Sequence, residues 1–120
     1  MPEFLYLFRN STTAPAPSPE AMQRSMQKWI AWIDQLSRAG TFKGGDPLED
    51  GGKVLSGPSG ALVTDGPFAE AKEIVGGYLL VMAGGLDEAI AHARGCPIYE
   101  HGGTVEVRAI RDMNMPHQKR

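Results

Sequence analysis

The chain has 120 residues and a mass of 12.9 kDa, which is the size of one ordinary domain. Its 12 basic and 14 acidic residues give a net charge of −2, so composition offers no electrostatic reason to expect a nucleic-acid partner. One cysteine, three histidines without metal-ligand spacing and no apolar run of roughly 20 residues lead us to expect a cytoplasmic protein without a disulfide, a metal site, a cofactor or a membrane span.

The first third of the chain predicts a strand followed by a long helix. Residues 3–9 carry apolar side chains on both faces of a period-two pattern, which is typical of a strand buried on both sides. A Pro-rich loop over residues 10–19 leads to Ser18, a good N-cap, and Gly40 is placed to end the helix. The apolar positions between them follow helical spacing: Met22, Met26, Trp29, Ile30, Ile33 and Leu36.

The middle of the chain predicts short elements joined by turns. Residues 41–45 suggest a short edge strand, and residues 46–52 a loop. Residues 53–55 and 61–64 suggest the two strands of a hairpin. A sharp turn at Asp65-Gly66-Pro67-Phe68 then leads to one helical turn at residues 69–73.

The last third predicts a strand at residues 77–82, a short helix at 87–94 and a strand at 104–110. The resulting order is β-α-β-hairpin-β-α-β. It predicts an α+β, ferredoxin-like split βαβ fold with an inserted β-hairpin. We expect one domain over residues 1–112 and a polar tail over residues 113–120.

The two helices of such a fold cover only one face of its sheet. Strands 3–9 and 77–82 nevertheless carry apolar residues on both faces. We therefore expect a homodimer in which the second faces of two sheets pack together, although a long loop folded over that face would serve as well.

Glycine is the over-represented residue, with 15 copies, none of which precedes Gly40. The five Gly-Gly pairs do not form GxGxxG or GxxxxGK[ST], so nucleotide binding through these motifs is excluded. Most glycines fall at predicted joints between elements, but Gly44-Gly45 and Gly51-Gly52 have no assigned task at this level.

Two segments resemble one known family. The string DGPFAEAKE at residues 65–73, followed by Gly76-Gly77-Tyr78, resembles the signature of the DGPF branch of the YCII-related family. Cys96-Pro97 and the string GGTVEVR at residues 102–108 resemble the ending of that branch. The resemblance implies a bacterial, dimeric α/β barrel with a ferredoxin-like fold.

The resemblance implies little about activity. A His–Asp pair is thought to mark the active site of the wider group, with its histidine on the first helix. Here that helix has no histidine, and Trp29 takes the position, so the dyad chemistry does not carry over. Members of the DGPF branch are often encoded beside extracytoplasmic-function sigma factors, so the resemblance also implies a regulatory association with such a factor.

Carboxylates near the DGPF turn are the candidate catalytic groups. Asp65 follows a predicted strand, where a carboxylate can be held at a cleft, but the turn chemistry of Asp before Gly-Pro explains it unaided. Glu73 would share a helical face with Glu70, and such a pair can divide acid and base roles. Lys72 and Glu70 are candidate substrate-binding residues, with a solvated charged turn as the alternative.

The candidate substrate-binding residues on the strands are Tyr78, Glu106 and Arg108. Glu106 and Arg108 leave the same face of the last strand, and Arg108 could clamp a substrate carboxylate. An ion pair that fixes the register of a dimer is an equally good explanation. Tyr78 could offer its hydroxyl to a ligand, or could pack at an interface.

Two hypotheses on function remain open. The first is a small-molecule-binding protein or cofactor-free proton-transfer enzyme of the lyase, isomerase or hydrolase kind, with a cleft between the sheet and its dimer partner. Whether it is an enzyme is left open. The alternative is a non-catalytic accessory or regulatory protein that associates with a sigma factor.

Overall fold

A computed structural model describes residues 1–66, 71 and 73–113, and its strands form one main sheet and one separate hairpin. The main sheet contains β1 (Glu3–Ser11), β2 (Phe42–Pro47), β5 (Glu73–Met82) and β6 (Thr104–Ala109). Their spatial order is β2-β5-β1-β6, and every neighbouring pair is antiparallel. This order confirms the predicted ferredoxin-like α+β fold.

Two helices complete the domain: α1 (Pro19–Arg38) and α2 (Leu86–Ala93). Helix α1 begins as predicted, because the Ser18 side chain accepts a hydrogen bond from the Ala21 backbone N–H at 3.1 Å. Gly40 follows its end with a φ of +75°. Neither helix within the described residues is long and apolar enough to cross a membrane.

The core lies between the helices and one face of the main sheet. On β1 the alternate residues Phe4, Tyr6 and Phe8 are buried, and Trp32 and Leu36 of α1 pack in the same cluster. Val105 and Val107 of β6 also pack against this cluster, as the alternation of the last strand predicts. The hydrophobic core therefore lies on the face of the main sheet that the helices cover.

The opposite face of the sheet, which we call the open face, is covered by no helix of the described chain. Leu5 and Leu7 of β1 and Leu80 and Met82 of β5 lie on it, half-buried. The apolar character predicted for both faces of these strands is present. The homodimer inferred from it stays a prediction.

The inserted hairpin consists of β3 (Gly52–Ser56) and β4 (Leu62–Gly66), which pair only with each other. A 3-10 turn over Pro58–Gly60 joins them. This agrees with the predicted hairpin, except that β3 is one residue longer at each end, whereas β4 begins one residue later and ends two residues later than predicted.

The predicted helical turn at residues 69–73 needs one correction. Glu73 is the first residue of β5, which begins four residues earlier than predicted. Its backbone pairs with Ser11, so the sheet ladder determines its conformation. Residues 67–70 and 72 lie outside the described residues, as does most of the predicted tail.

Two buried groups, the Tyr6 hydroxyl and the Cys96 thiol, lead us to expect that the fold loses stability at alkaline pH. Burial raises the pKa of the Tyr6 hydroxyl to about 12, and that hydroxyl donates a hydrogen bond to the Ala89 carbonyl oxygen. Burial also raises the pKa of the Cys96 thiol to about 12. Both groups therefore hold their protons more tightly in the folded chain than in the unfolded chain.

We expect the free energy of unfolding to be independent of these two groups below about pH 9, where both are protonated in the folded and the unfolded chain. As the pH rises toward 12, the unfolded chain loses these protons first, so the free energy of unfolding should fall. Urea unfolding at pH 7, 9 and 10.5 measures the slope. Tyr6→Phe should lower the stability at pH 7 by about 1 kcal/mol, through the lost hydrogen bond, and flatten the alkaline decline. An unchanged slope in Tyr6→Phe would contradict the assignment to Tyr6.

Candidate functional site

A partly open, mainly apolar cavity of about 410 Å³ lies between α1 and the β2–β5 side of the main sheet. Its volume falls in the range of small-molecule sites. Side chains from α1 form its roof, namely Met26, Trp29 and Ile33. Strand and loop residues form the rest of its apolar wall, namely Phe8, Phe42, Leu79 and Ile98.

The aromatic part of the wall is held in place by ring contacts. The Trp29 ring meets the Phe8 ring edge to face, with centroids 5.0 Å apart, and the Trp32 ring at 5.7 Å. Trp32 is itself anchored, because its Nε1 donates to the His92 carbonyl oxygen at 3.1 Å. The cavity therefore presents a preorganised aromatic surface rather than one that must form on binding.

Glycine backbone forms the wall of the cavity at the ends of β2 and β5. Gly45, Gly76 and Gly77 all line it. Gly76 is the extra residue of a bulge in β5 opposite Phe8 and Arg9, and the Asn10 amide lies against its Cα. A Cβ on Gly76 would overlap that amide, so glycine here lets a neutral hydrogen-bonding group sit at the cavity wall.

The polar lining consists of Asn10, Asp46 and Tyr78 together with backbone groups. The Tyr78 hydroxyl donates to Asp46 Oδ2 at 3.2 Å, and this hydrogen bond raises the pKa of Tyr78. Strand alternation directs the Tyr78 side chain away from Leu79 to the open face, so the Tyr78–Asp46 hydrogen bond lies on the opposite side of the sheet from α1. None of the described residues that line the cavity is Lys, Arg or His.

Of the predicted site residues that the structure describes, Tyr78 lines this cavity and the others do not. Asp65 lies on the hairpin, where it is exposed and pairs with Lys53. Glu73 is exposed at the start of β5, beside a shallow polar depression formed with Arg9 and Ser11. The catalytic roles of Asp65 and Glu73 stay predictions.

Glu106 and Arg108 lie on the open face, away from the cavity. Arg9 Nη2 contacts Glu106 Oε1 at 2.9 Å, and Arg108 Nη1 lies 3.8 Å from the other Glu106 oxygen. Glu106 thus has an arginine on each side within one subunit. Their role in binding substrate stays a prediction, while the predicted residues Glu70 and Lys72 lie outside the described residues.

Sequence reasoning missed Asn10, Asp46 and most of the apolar wall as site residues. The sequence predicts a loop at Asn10, but β1 continues to Ser11 and brings Asn10 to the cavity. The sequence also predicts a loop at Asp46, but Asp46 belongs to β2. The available signal was Trp29, the aromatic residue at the position where the family resemblance places a histidine.

The family model of the YCII-related domain matches residues 4–114 of the chain. No curated protein matches the chain. Among solved structures, the chain is similar to 5-chloro-2-hydroxyhydroquinone dehydrochlorinase (TftG) from Burkholderia phenoliruptrix AC1100, in complex with 2,5-dihydroxybenzoquinone. The two are 16% identical with a TM-score of 0.47, over 89% of this chain and 93% of the other.

Proposed function

The chain belongs to the YCII-related family, and from its own cavity we propose that it binds a small, uncharged, largely apolar molecule with an aromatic ring. The observation that carries the proposal is the partly open space of about 410 Å³ walled by Phe8, Trp29 and Phe42. A ligand ring against this wall gains binding free energy both from the burial of apolar area and from contact with the aromatic rings.

The charge of the ligand follows from the cavity lining. A carboxylate or phosphate inside this cavity would lose its hydration and meet no described Lys, Arg or His side chain. The Asn10 amide offers a neutral hydrogen bond instead. The lining therefore favours neutral ligands over anionic ligands of the same shape.

Catalysis, in this proposal, belongs to the open-face side of β2 and β5, where Asp46 pairs with Tyr78. The Tyr78 hydroxyl and the Asp46 carboxylate form a hydrogen-bonded pair, which is the donor–acceptor arrangement that proton transfer requires. The Tyr78 hydroxyl is protonated at neutral pH, as for any tyrosine of ordinary or raised pKa, and it acts as the donor. We propose cofactor-free proton transfer at this pair as the enzymatic form of the function.

Titration with three ligands of similar shape tests the binding proposal. Benzamide is neutral, benzoate is anionic and benzylamine is cationic. We expect saturable quenching of tryptophan fluorescence by benzamide and at least tenfold weaker binding of benzoate. Trp29→Phe should remove most of the fluorescence change, since the other tryptophan, Trp32, is buried beside the cavity rather than in its wall.

Equal binding of benzoate and benzamide would contradict the proposed ligand class. If none of the three ligands bound saturably, the proposed site itself would be contradicted. Asp65→Ala is the matched comparison, because Asp65 is exposed on the hairpin: we expect it to leave benzamide binding unchanged. Loss of binding in Asp65→Ala would favour the site predicted from the sequence.

We further propose that the protein is a cytoplasmic homodimer that pairs its open faces. The apolar centre of the open face consists of Leu5, Leu7, Leu80 and Met82, and charged groups lie near its margin, namely Arg9, Glu106 and Arg108.

The alternative function, an accessory protein bound to a sigma factor, requires a protein partner and no cavity ligand. The titration above separates the two.

A further inference from the structure

The Asn10 side chain lies on the helix-covered face of the main sheet, where the cavity is. In β1, Tyr6 and Phe8 alternate on that face, and Asn10 is the next residue of the same series. Asp46 and Tyr78 also line the cavity, but their side chains meet on the open face. Of these three polar residues, Asn10 is therefore the one whose side chain is directed to the cavity.

The Asn10 amide is available to a ligand. Among the described residues, no group forms a hydrogen bond with this amide. Asn10 is also exposed rather than packed under other side chains. A ligand can therefore reach the amide without breaking a hydrogen bond within the described part of the protein.

A bulge in β5 determines where the amide sits. Gly76 is the extra residue opposite Phe8 and Arg9, and its carbonyl oxygen accepts a hydrogen bond from the Leu48 backbone N–H at 2.9 Å. This hydrogen bond holds the bulge against the loop that follows β2. The Asn10 Nδ2 packs where a Cβ on Gly76 would otherwise lie. Bulges of this kind often redirect a side chain next to a functional site.

The aromatic wall of the cavity begins two residues before Asn10 on the same strand. About 7 Å therefore separates the Cα atoms of Phe8 and Asn10. The Trp29 ring packs edge to face on the Phe8 ring, with centroids 5.0 Å apart. A single ring that lies against these side chains directs a substituent on its own edge toward Asn10. The spacing fits a polar group attached directly to the ring.

The hydrogen-bonding atoms on the cavity side define the polar group that fits. The Trp29 indole N–H is a donor only, whereas the Asn10 amide both donates and accepts. Among the described lining residues, Asn10 thus supplies the one side-chain oxygen on this side of the sheet. A primary carboxamide or a phenolic hydroxyl can use the donors and this acceptor. A ketone can use the donors alone.

We propose that Asn10 is the specificity-determining residue of the cavity, and that the ligand is an aromatic ring bearing a neutral group that both donates and accepts hydrogen bonds. This inference rests on the proposed function, because it identifies the polar end of the ligand of the same cavity. Gly76 is a positioning residue in this proposal, since it acts through Asn10.

Two ligand pairs test the assignment by calorimetric titration. Acetophenone has the shape of benzamide but replaces its NH2 group by a methyl group, so we expect benzamide to bind about fivefold more tightly. Benzylamine replaces the carboxamide by a cationic group. In Asn10→Asp we expect the ratio of the benzamide Kd to the benzylamine Kd to rise at least tenfold, because a carboxylate forms charge-assisted hydrogen bonds with an ammonium group.

Gln27→Glu is the matched control for Asn10→Asp. It makes the same exchange of an amide for a carboxylate, but Gln27 is exposed on α1 and does not line the cavity. We expect it to leave the ratio of the two Kd values unchanged. A similar shift in both variants would mean that the net charge of the protein, rather than Asn10, sets the preference.

Gly76→Ala tests the same assignment without a change at Asn10. Gly76 has no positive φ, and the atoms that its Cβ would meet belong to the flexible end of the Asn10 side chain. The substitution should therefore displace the amide rather than disrupt the strand. We expect benzamide to lose its preference over acetophenone while both ligands still bind.

Three results would overturn the proposal: an unchanged Kd ratio in Asn10→Asp, an equal shift in Gln27→Glu, and a retained benzamide preference in Gly76→Ala. In each case the ligands still bind the unmodified protein, so the proposed function would stand. If the unmodified protein bound none of the ligands saturably, the proposed function itself would fail, and this assignment with it.

Discussion

Gly45→Ala is expected to destabilise the protein by about 3 kcal/mol, a large fraction of the stability of a domain this size. Gly45 has a φ of +151°, a conformation that L side chains rarely adopt. A Cβ there would lie 2.7 Å from the Leu79 Cα and closer still to the Tyr78 carbonyl oxygen. Backbone atoms cannot move aside as a flexible side chain can, so β2 would have to separate from β5.

Gly44→Ala is the matched control for this prediction. Gly44 lies in the same strand and outside the positive-φ region, and a Cβ there would meet no atom within 4 Å. We expect its stability to stay within about 1 kcal/mol of the original, because alanine also restricts the unfolded chain. Urea unfolding of both variants measures the difference. If both variants lost the same free energy of unfolding, β2 would tolerate a side chain at neither position, and the close approach to β5 would not explain the requirement for Gly45.

The same comparison gives one of the unexplained glycine pairs a structural task. From the sequence, Gly44-Gly45 had none, because a close approach between two strands is a long-range property. Gly45 lies opposite Leu79, 34 positions later in the chain, and no local pattern encodes that pairing. Sequence reasoning located the edge strand at residues 41–45 but could not tell that one of its glycines is required by β5.

Local patterns sufficed for most of the fold. The Ser18 cap and the helical spacing from Met22 to Leu36 define α1, and strict alternation defines β6. These signals lie within a few residues of the element that they predict. The prediction of a helical turn at Glu73 is wrong, because the charged string favours such a turn locally, whereas pairing with β1 imposes a strand.

The candidate site could be predicted less well, because its wall is assembled from residues distant in sequence. Sequence reasoning favours charged residues near a conspicuous motif, which led to Asp65 and Glu73. The cavity instead combines Phe8 of β1, Trp29 of α1 and Phe42 of β2, all of which have an ordinary explanation as core residues. The space left between them is a property of packing, and no single position in the sequence reports it.

Trp29 is notable both for its position in the sequence and for its place in the cavity wall. From the sequence, it occupies the position where the family resemblance implies a catalytic histidine. In the structure, it contributes an indole ring to the cavity wall and packs on Phe8. Replacing an imidazole by an indole exchanges a titratable group for apolar area, and this exchange is consistent with the proposed binding of an aromatic ligand.

Trp29→Ala is therefore expected to weaken benzamide binding at least tenfold, which corresponds to about 1.4 kcal/mol. Calorimetric titration measures the Kd without relying on tryptophan fluorescence. The substitution should also cost about 2 kcal/mol of stability, less than for a fully buried tryptophan, because Trp29 is only partly buried.

Leu36→Ala is the control that separates the two effects. Leu36 is 2% exposed in the same core but does not line the cavity, so its loss should destabilise the fold by at least as much and leave the Kd unchanged. Trp29→Phe keeps an aromatic face and should retain most of the affinity. If Leu36→Ala weakened binding as much as Trp29→Ala, the affinity would follow overall stability, and the indole would have no direct contact with the ligand.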